Sequence, residues 1–288
     1  MTTNISLRRT KDKIAKGVVI AFTILTVLPL FMIIGTIFYK GYKQINLSFF
    51  VEKSPSGLDA LLAKATETVL PGGIANGIVG TLLMVFIASC IAIPTGIMGG
   101  IYLSENKDAH IAKTIRFFTD LLQGSPSIVI GIIVYAWFVV PMGGYSALAG
   151  ALALSIMMLP LIIRSTEETV LRLPSTLKES ALALGCPYRA AVLKIIVPSA
   201  MSGLLTGILL SISRIIGETA PLMMTALGSG IINWNIDRPS SAVPLLIWEF
   251  YNDPNLQDMI WSSSLFLLFV VLFFNILAKK LSAKWSIY

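Results

Sequence analysis

Two groups of residues in this 288-residue chain have the types and spacing to do chemistry. The first is a guanidinium and a carboxylate four residues apart, Arg214 and Glu218, inside the apolar run 200–227. Residues four apart share one face of a helix. An arginine near the middle of a membrane span costs at least ~2.5–3.5 kcal/mol on insertion scales, so it must face a cavity or a partner charge. Two readings follow. Either the pair only neutralises itself, or Arg214 offers an anion a polar constriction and Glu218 exchanges partners with it as a gate. The arginine precedes the carboxylate, which is the weaker order for a helical pair. Ser211 lies near the same face, and Thr219 adds a hydroxyl next to Glu218, so both join the candidate pathway. Gly217 and Pro221 invite a break in the helix, because proline brings no N–H to the preceding turn. Carbonyls freed at such a break are tolerated where they line water.

The second group lies in residues 173–187, LPSTLKESALALGCP. Ser175 can cap a helix start by accepting from an orphan backbone N–H. Leu177, Ala181 and Leu184 fall on one apolar face at helical spacing. Gly185 suits the left-handed position past a helix end, and Pro187 forbids continuation. A second short helix over 187–196 then leads to Pro198. The small residues Ser180, Ala181 and Ala183 would let a partner pack closely. No G-x-x-x-x-G-K-[ST] phosphate loop occurs in the chain, so ATP hydrolysis is not expected of it. His110 is the single histidine, and Cys90 and Cys186 stand far apart in sequence. Neither a metal site nor a nucleophile–base pair is expected.

The elements that must position these groups are membrane helices. Apolar residues make up 55% of the chain and charged residues 13%, where about 25% is typical of a soluble domain. Mean hydropathy is +0.81. Six stretches approach the roughly 20 apolar residues needed to cross a bilayer: 17–38, 74–103, 125–140, 145–163, 200–227 and 259–278. Sixteen of the 22 Lys and Arg fall in the two terminal tails and the loops after spans two and four. By the positive-inside rule both termini then lie in the cytoplasm, and the net charge of +7 reflects loop topology rather than nucleic-acid binding. Within those loops His110, Glu167 and Glu168 read as solvated. On the other side, Pro55, Gly57 and Pro71-Gly72-Gly73 separate span one from the remainder, dividing the chain into 1–71, 72–281 and a tail 282–288. Residues 244–251 read as an interfacial helix with belt aromatics, or else as an external gate or docking surface. Asn76 reads as a helix cap or an external gate contact.

The spacing of the cytoplasmic segment is recognisable. Glu179-Ser180-Ala181, with Gly185 six residues after Glu179 and then Ile195-Ile196-Val197-Pro198, resembles the EAA signature of ABC-importer permeases. It departs from that signature at Ser180 and Val197. The resemblance implies a coupling helix seated in a groove of an ATPase subunit, with Glu179, Ser180, Ala181 and Gly185 at the contact. Two further segments, RIIGETAP at 214–221 and QGSPSIVIG at 123–131, are similar to the A-type permease family of the bacterial phosphate-specific ABC importer. That resemblance implies an all-α, polytopic inner-membrane subunit with the type I ABC importer permease fold and six transmembrane helices. It implies alternating-access import of inorganic phosphate. The implied partners are a dissimilar second permease, an ABC ATPase dimer holding the ATP and Mg, an external phosphate-binding protein and membrane lipid, with no nucleic acid. This chain itself would hold no cofactor. The residues alone leave open a permease of the same fold for another oxyanion, and an ATP-independent channel or ion-coupled transporter.

Overall fold

The computed structural model describes residues 5–66 and 70–285; residues 1–4, 67–69 and 286–288, the last including the end of the expected tail, lie outside it. The described residues are helical apart from turns, irregular connections and one isolated bridge, Leu227 to Ser240. Helix α1 (Ile5–Gly41) is followed by two short helices, α2 (Leu47–Val51) and α3 (Gly57–Ala65). Helix α4 (Ala75–Glu105) leads into α5 (His110–Gly124) and α6 (Ser127–Val134), which runs on through a π turn into α7 (Val140–Met142). Then come α8 (Ala147–Leu171), α9 (Ser175–Ala183) and α10 (Tyr188–Ala191), with a second π turn before α11 (Val197–Ser199). The chain ends in α12 (Met201–Ile216), α13 (Ala220–Thr225), α14 (Val243–Asn252) and α15 (Gln257–Trp285). Helices α1, α4, α8 and α15 are long and apolar enough to span a membrane. Two bent helix pairs bring the number to six if each is taken as one span.

Proline explains where the spans deviate. Ser125 and Pro126 both take extended backbone, since a residue before proline avoids the helical region, and the chain turns by 109° there. Pro141 and Pro198 each lack an N–H and crowd the carbonyl four residues back. The helix widens just before each of them: Val140 N–H reaches Tyr135 O, and Val197 N–H reaches Val192 O, five residues back.

The centre of the bundle is the pairing of α4 with α8. Every fourth residue of α4 from Ala88 onward is small: Ala88, Ala92, Gly96 and Gly100, all buried. A Cβ on Gly96 would stand 2.7 Å from Ile162, and one on Gly100 would stand 2.7 Å from the Ile163 carbonyl. Small residues at this spacing let membrane helices approach at backbone distance, where dispersion replaces the hydrophobic drive that lipid does not supply. Leu154, Met158 and Ile162 of α8, with Leu222 and Ile215, complete the same cluster.

Two polar ties close the ends of the bundle. At the end carrying most of the basic residues, Arg116 of α5 donates through Nε to Glu167 at 2.8 Å. Its Nη1 donates to Lys107 O at 2.8 Å and its Nη2 to Leu103 O at 2.7 Å. Arg164 pairs with Asp120 at 2.6 Å and with the other oxygen of Glu167 at 3.5 Å. This corrects two expectations. The segment after span two is the helix α5 rather than a loop, and Glu167 is buried and ion-paired rather than solvated, because α8 continues to Leu171 instead of ending near 163. Glu168 and His110 are exposed, as read.

At the far end Asn76, 2% exposed, donates to Ser229 O and Ser54 Oγ and accepts from the Ser54 N–H. Asn76 is therefore not a cap; it staples two connecting segments together. Helix α14 buries Val243, Pro244, Leu245, Leu246 and Phe250 and leaves Trp248 and Tyr251 exposed, so it belongs to the packed body more than an interfacial helix would. Helix α1 stands apart and meets the body through α15. Phe38 packs edge-on against Phe269, and Ser262 Oγ donates to Gly41 O.

Removing Arg116 strips buried Glu167 of its short 2.8 Å pair and leaves it the longer contact to Arg164 at 3.5 Å. Arg116→Met is expected to destabilise the solubilised chain by about 3 kcal/mol, the low end of the range because Arg116 keeps 22% exposure. The double change Arg116→Met with Glu167→Leu is expected to recover most of that. Denaturant unfolding in detergent reads both, and an equal loss in the double variant would contradict the assignment.

Candidate functional site

The break in span five is built by residues 217–219. Helix α12 ends at Ile216, and Gly217 and Glu218 close it with tight bonds from their N–H groups to Arg214 O and Ile215 O at 3.1 and 3.2 Å. Helix α13 restarts at Ala220 with Pro221 in its first turn, where a missing N–H does least harm. Pro221 in turn brings no donor to the Gly217 carbonyl, so backbone polarity gathers at this point. Gly131 of α6 packs here; a Cβ on it would stand 2.8 Å from Pro221 Cα. The two segments 123–131 and 214–221, 90 residues apart at Gly131 and Pro221, thus meet at the break, which neither segment signals by itself.

Arg214 is the charge this break presents. Its Nε stands 3.7 Å from Glu218 Oε1, within ion-pair range but beyond a hydrogen bond. The Arg214 side chain is 45% exposed and that of Glu218 17%. Leu210, Arg214 and Gly217 form the open side of α12. Ser211 does not join them. It is buried, and its hydroxyl donates to Gly207 O at 2.7 Å, so its polarity is satisfied inside its own helix. Thr219 lies in an adjacent open groove of about 430 Å³, walled by Met223, Pro244, Trp248 and Tyr251. The structure therefore brings Arg214 and Glu218 together, sets Thr219 beside them, and takes Ser211 out of the group. Trp248 and Tyr251 were not anticipated here, because nothing local ties α14 to α13.

The second site is the hairpin of α9 and α10. Pro174 stands at the N-cap with no side-chain cap, so Ser175 is the first helical residue and does not cap. At the other end Gly185 takes φ +79°, a backbone region that strains any residue with a Cβ. Its N–H bonds to Leu182 O at 2.9 Å, and the Cys186 N–H bonds to Ala181 O at 3.1 Å. This paired closure answers the last carbonyls of α9 and reverses the chain. The expected apolar face divides: Ala181 is buried within the chain, while Leu177 and Leu184 are exposed. Glu179 and Ser180 are exposed as well. Leu184, at the turn of the hairpin, is 89% exposed, and Leu193 in the following π turn is 67% exposed; large apolar side chains left open in this way mark a surface that another molecule covers.

Lys178 holds this hairpin to the membrane helices. Its Nζ reaches Glu105 at the end of α4 at 2.6 Å and lies 5.0 Å from the Tyr188 ring centre. A cleft of about 460 Å³ runs beneath, lined by Glu105, Lys107, Leu171, Ser175, Lys178 and Glu179 among others. The lysine and its partner are 73 residues apart, so sequence spacing carried no signal of the tie. Among the described residues no His, Cys, Asp and Glu cluster could hold a metal ion.

The chain as a whole resembles known proteins. Residues 92–286 match the family model described as binding-protein-dependent transport system inner membrane component. The phosphate transport system permease protein PstA of Yersinia pestis is 36% identical over 280 residues, covering 96% of this chain and 92% of the relative. The probable phosphate transport system permease protein PstA of Methanocaldococcus jannaschii is 37% identical over 270 residues, covering 93% and 92%. Among solved structures, an inward-facing MetNI methionine ABC transporter matches with a TM-score of 0.61 at 19% identity, over 73% of this chain and 94% of that one, which speaks to the fold alone. The chain is an all-α membrane protein with the type I ABC importer permease fold, and it belongs to the family of binding-protein-dependent transport system inner membrane components.

Proposed function

We propose that this chain is one of two dissimilar permease subunits that import inorganic phosphate by alternating access. An external phosphate-binding protein delivers the anion, and a separate ABC ATPase dimer, holding the ATP and Mg, drives the cycle. The observation that carries the reading is the Arg214 guanidinium: half-exposed, 3.7 Å from Glu218, at a break in a membrane helix. A positive group that its nearest carboxylate does not fully occupy has donors left for an oxyanion, and guanidinium suits phosphate oxygens in paired geometry. Arginine alone fits other oxyanions too; the similarity to phosphate transport system permeases favours phosphate. Glu218 repels the anion, so a shift of Arg214 between Glu218 and the substrate would open and close the constriction, with Thr219 at its edge.

The distribution of basic residues supports an inner-membrane placement with both termini and the 173–187 hairpin in the cytoplasm, and with the importer core spanning 72–281. In that orientation Glu179, Ser180 and the exposed leucines meet the ATPase. Ala181 and Gly185 shape the hairpin that presents them. The Lys178–Glu105 tie gives the hairpin a direct hold on α4, and the turn at 192–196 joins it to α12 and the break. ATPase movement thereby has two routes into the membrane.

Gly185→Val forces a branched residue into a left-handed backbone, which costs about 1–2 kcal/mol and should lower binding-protein-stimulated ATP hydrolysis about tenfold while membrane insertion persists. Unchanged stimulation in that variant would remove the hairpin from the interface. At the break, Arg214→Gln should keep the complex assembled and lower phosphate uptake about 10–100-fold, the worth of a charged hydrogen bond. If Arg214 only neutralised Glu218, the double change Arg214→Gln with Glu218→Gln would restore uptake, because no unanswered charge remains. Uptake of labelled phosphate separates these: continued loss in the double variant is expected, and full recovery would overturn the pathway role.

A further inference from the structure

We infer that α5 lies in the plane of the membrane surface as an amphipathic anchor, its outer apolar face immersed at the boundary of the acyl chains and its basic edge on the lipid headgroups. The helix has three sides. One, marked by Ala112 and Thr119, is buried against the bundle. The second carries Lys113, Arg116, Asp120 and Gln123. Arg116 and Asp120 on it are tied to α8 by the pairs with Glu167 and Arg164. The third is open and mainly apolar: Ile111, Phe117, Phe118 and Leu121 are between 48% and 65% exposed, with His110 and Thr114 exposed among them.

Several observations select lipid as the occupant of that third side. Helix α5 is 15 residues, about 22 Å, and its three charged residues per four turns rule out a position across the hydrocarbon. The 109° bend at Ser125 and Pro126 sets it nearly at right angles to the span that follows. Past that bend, Ile128 and Ile132 of the apolar helix α6 are exposed too. Lys107 and Lys113 are exposed at its edge, and neither has a carboxylate partner among the described residues. Unanswered lysines beside a phenylalanine-rich face match an anionic headgroup layer over acyl chains. Through Arg116 the helix also grips Leu103 O, Lys107 O and Glu167, so the ends of α4 and α8 are fastened to whatever holds α5. A lipid-held α5 would serve as the fixed base against which the hairpin moves. The side of the membrane follows the orientation proposed above, but the depth of the helix does not depend on it or on the substrate.

Spin labels read that depth. A nitroxide is placed by Phe118→Cys, and separately by Ile111→Cys and Lys113→Cys, in a chain carrying Cys90→Ser and Cys186→Ser. The chain, with the subunits that copurify with it, is held in nanodiscs of phosphatidylethanolamine and phosphatidylglycerol. Collisions with oxygen and with a water-soluble nickel chelate are compared. The expected result is oxygen access with nickel exclusion at positions 118 and 111, and nickel access at 113. Exclusion of both reagents at 118 and 111 would mean that a protein subunit covers the face. Nickel access at those positions would mean that it faces water. Either result overturns the inference.

Discussion

Backbone groups cannot be left open in hydrocarbon, and the places where proline opens them organise this chain. Each unsatisfied N–H or C=O in lipid costs several kcal/mol, so a membrane span tolerates a break only where packing or water answers it. Pro94 and Pro160 sit inside the α4–α8 pair and leave both helices continuous, held together by the strip of small residues on α4. Pro126, Pro141, Pro198 and Pro221 stand elsewhere, and each coincides with a bend, a π turn or a restart. The rigid pair is thus flanked by segments that can be re-aimed. The break at 217–219 and the coupling hairpin lie outside the rigid pair, and the Lys178–Glu105 tie joins the hairpin to it.

Two arginines show how the same side chain serves structure in one place and stays available in another. Arg116 directs three nitrogens at three acceptors, all within 2.8 Å, and joins α4, α5 and α8. Three of its five N–H donors are committed to the fold, one from each nitrogen. Arg214 has one carboxylate at 3.7 Å and open space beside it. The difference does not lie in residue type or in nearness to an apolar run. It lies in how many acceptors the fold brings within reach, and only the folded chain supplies that.

Sequence reasoning reached those features whose causes are local. Six apolar runs, the breaking residues around Gly217 and Pro221, and the turn at Gly185 depend on residue type and near neighbours. What it missed depends on distant partners. Glu167 looked like a loop carboxylate because Arg116, 51 residues away, is what buries it. Helix α5 was read as a loop because its charges were weighed and its 3.6-residue period was not. Ser211 was placed on the charged face by spacing, yet its hydroxyl turns to Gly207 O on the buried flank. Ser175 gave way to Pro174 at the cap because the extended backbone that a cap needs is what Pro174 adopts, at ψ 131°. Trp248 and Tyr251 reached the groove beside Thr219 through a connection of more than a dozen irregular residues that no periodicity describes.

In the proposed cycle the break at residues 217–219 lines an aqueous anion path rather than a dry joint between helices. A cysteine at Thr219, in a chain without its native cysteines and assembled with its copurifying subunits, tests this through its rate of reaction with a small charged thiosulfonate reagent. The account predicts reaction at a rate well above that of a cysteine at the exposed membrane position Leu272, and slowing of that reaction when phosphate and the binding protein are supplied together. A Thr219→Cys chain that is as unreactive as the Leu272→Cys control would contradict it, as would a reaction indifferent to phosphate.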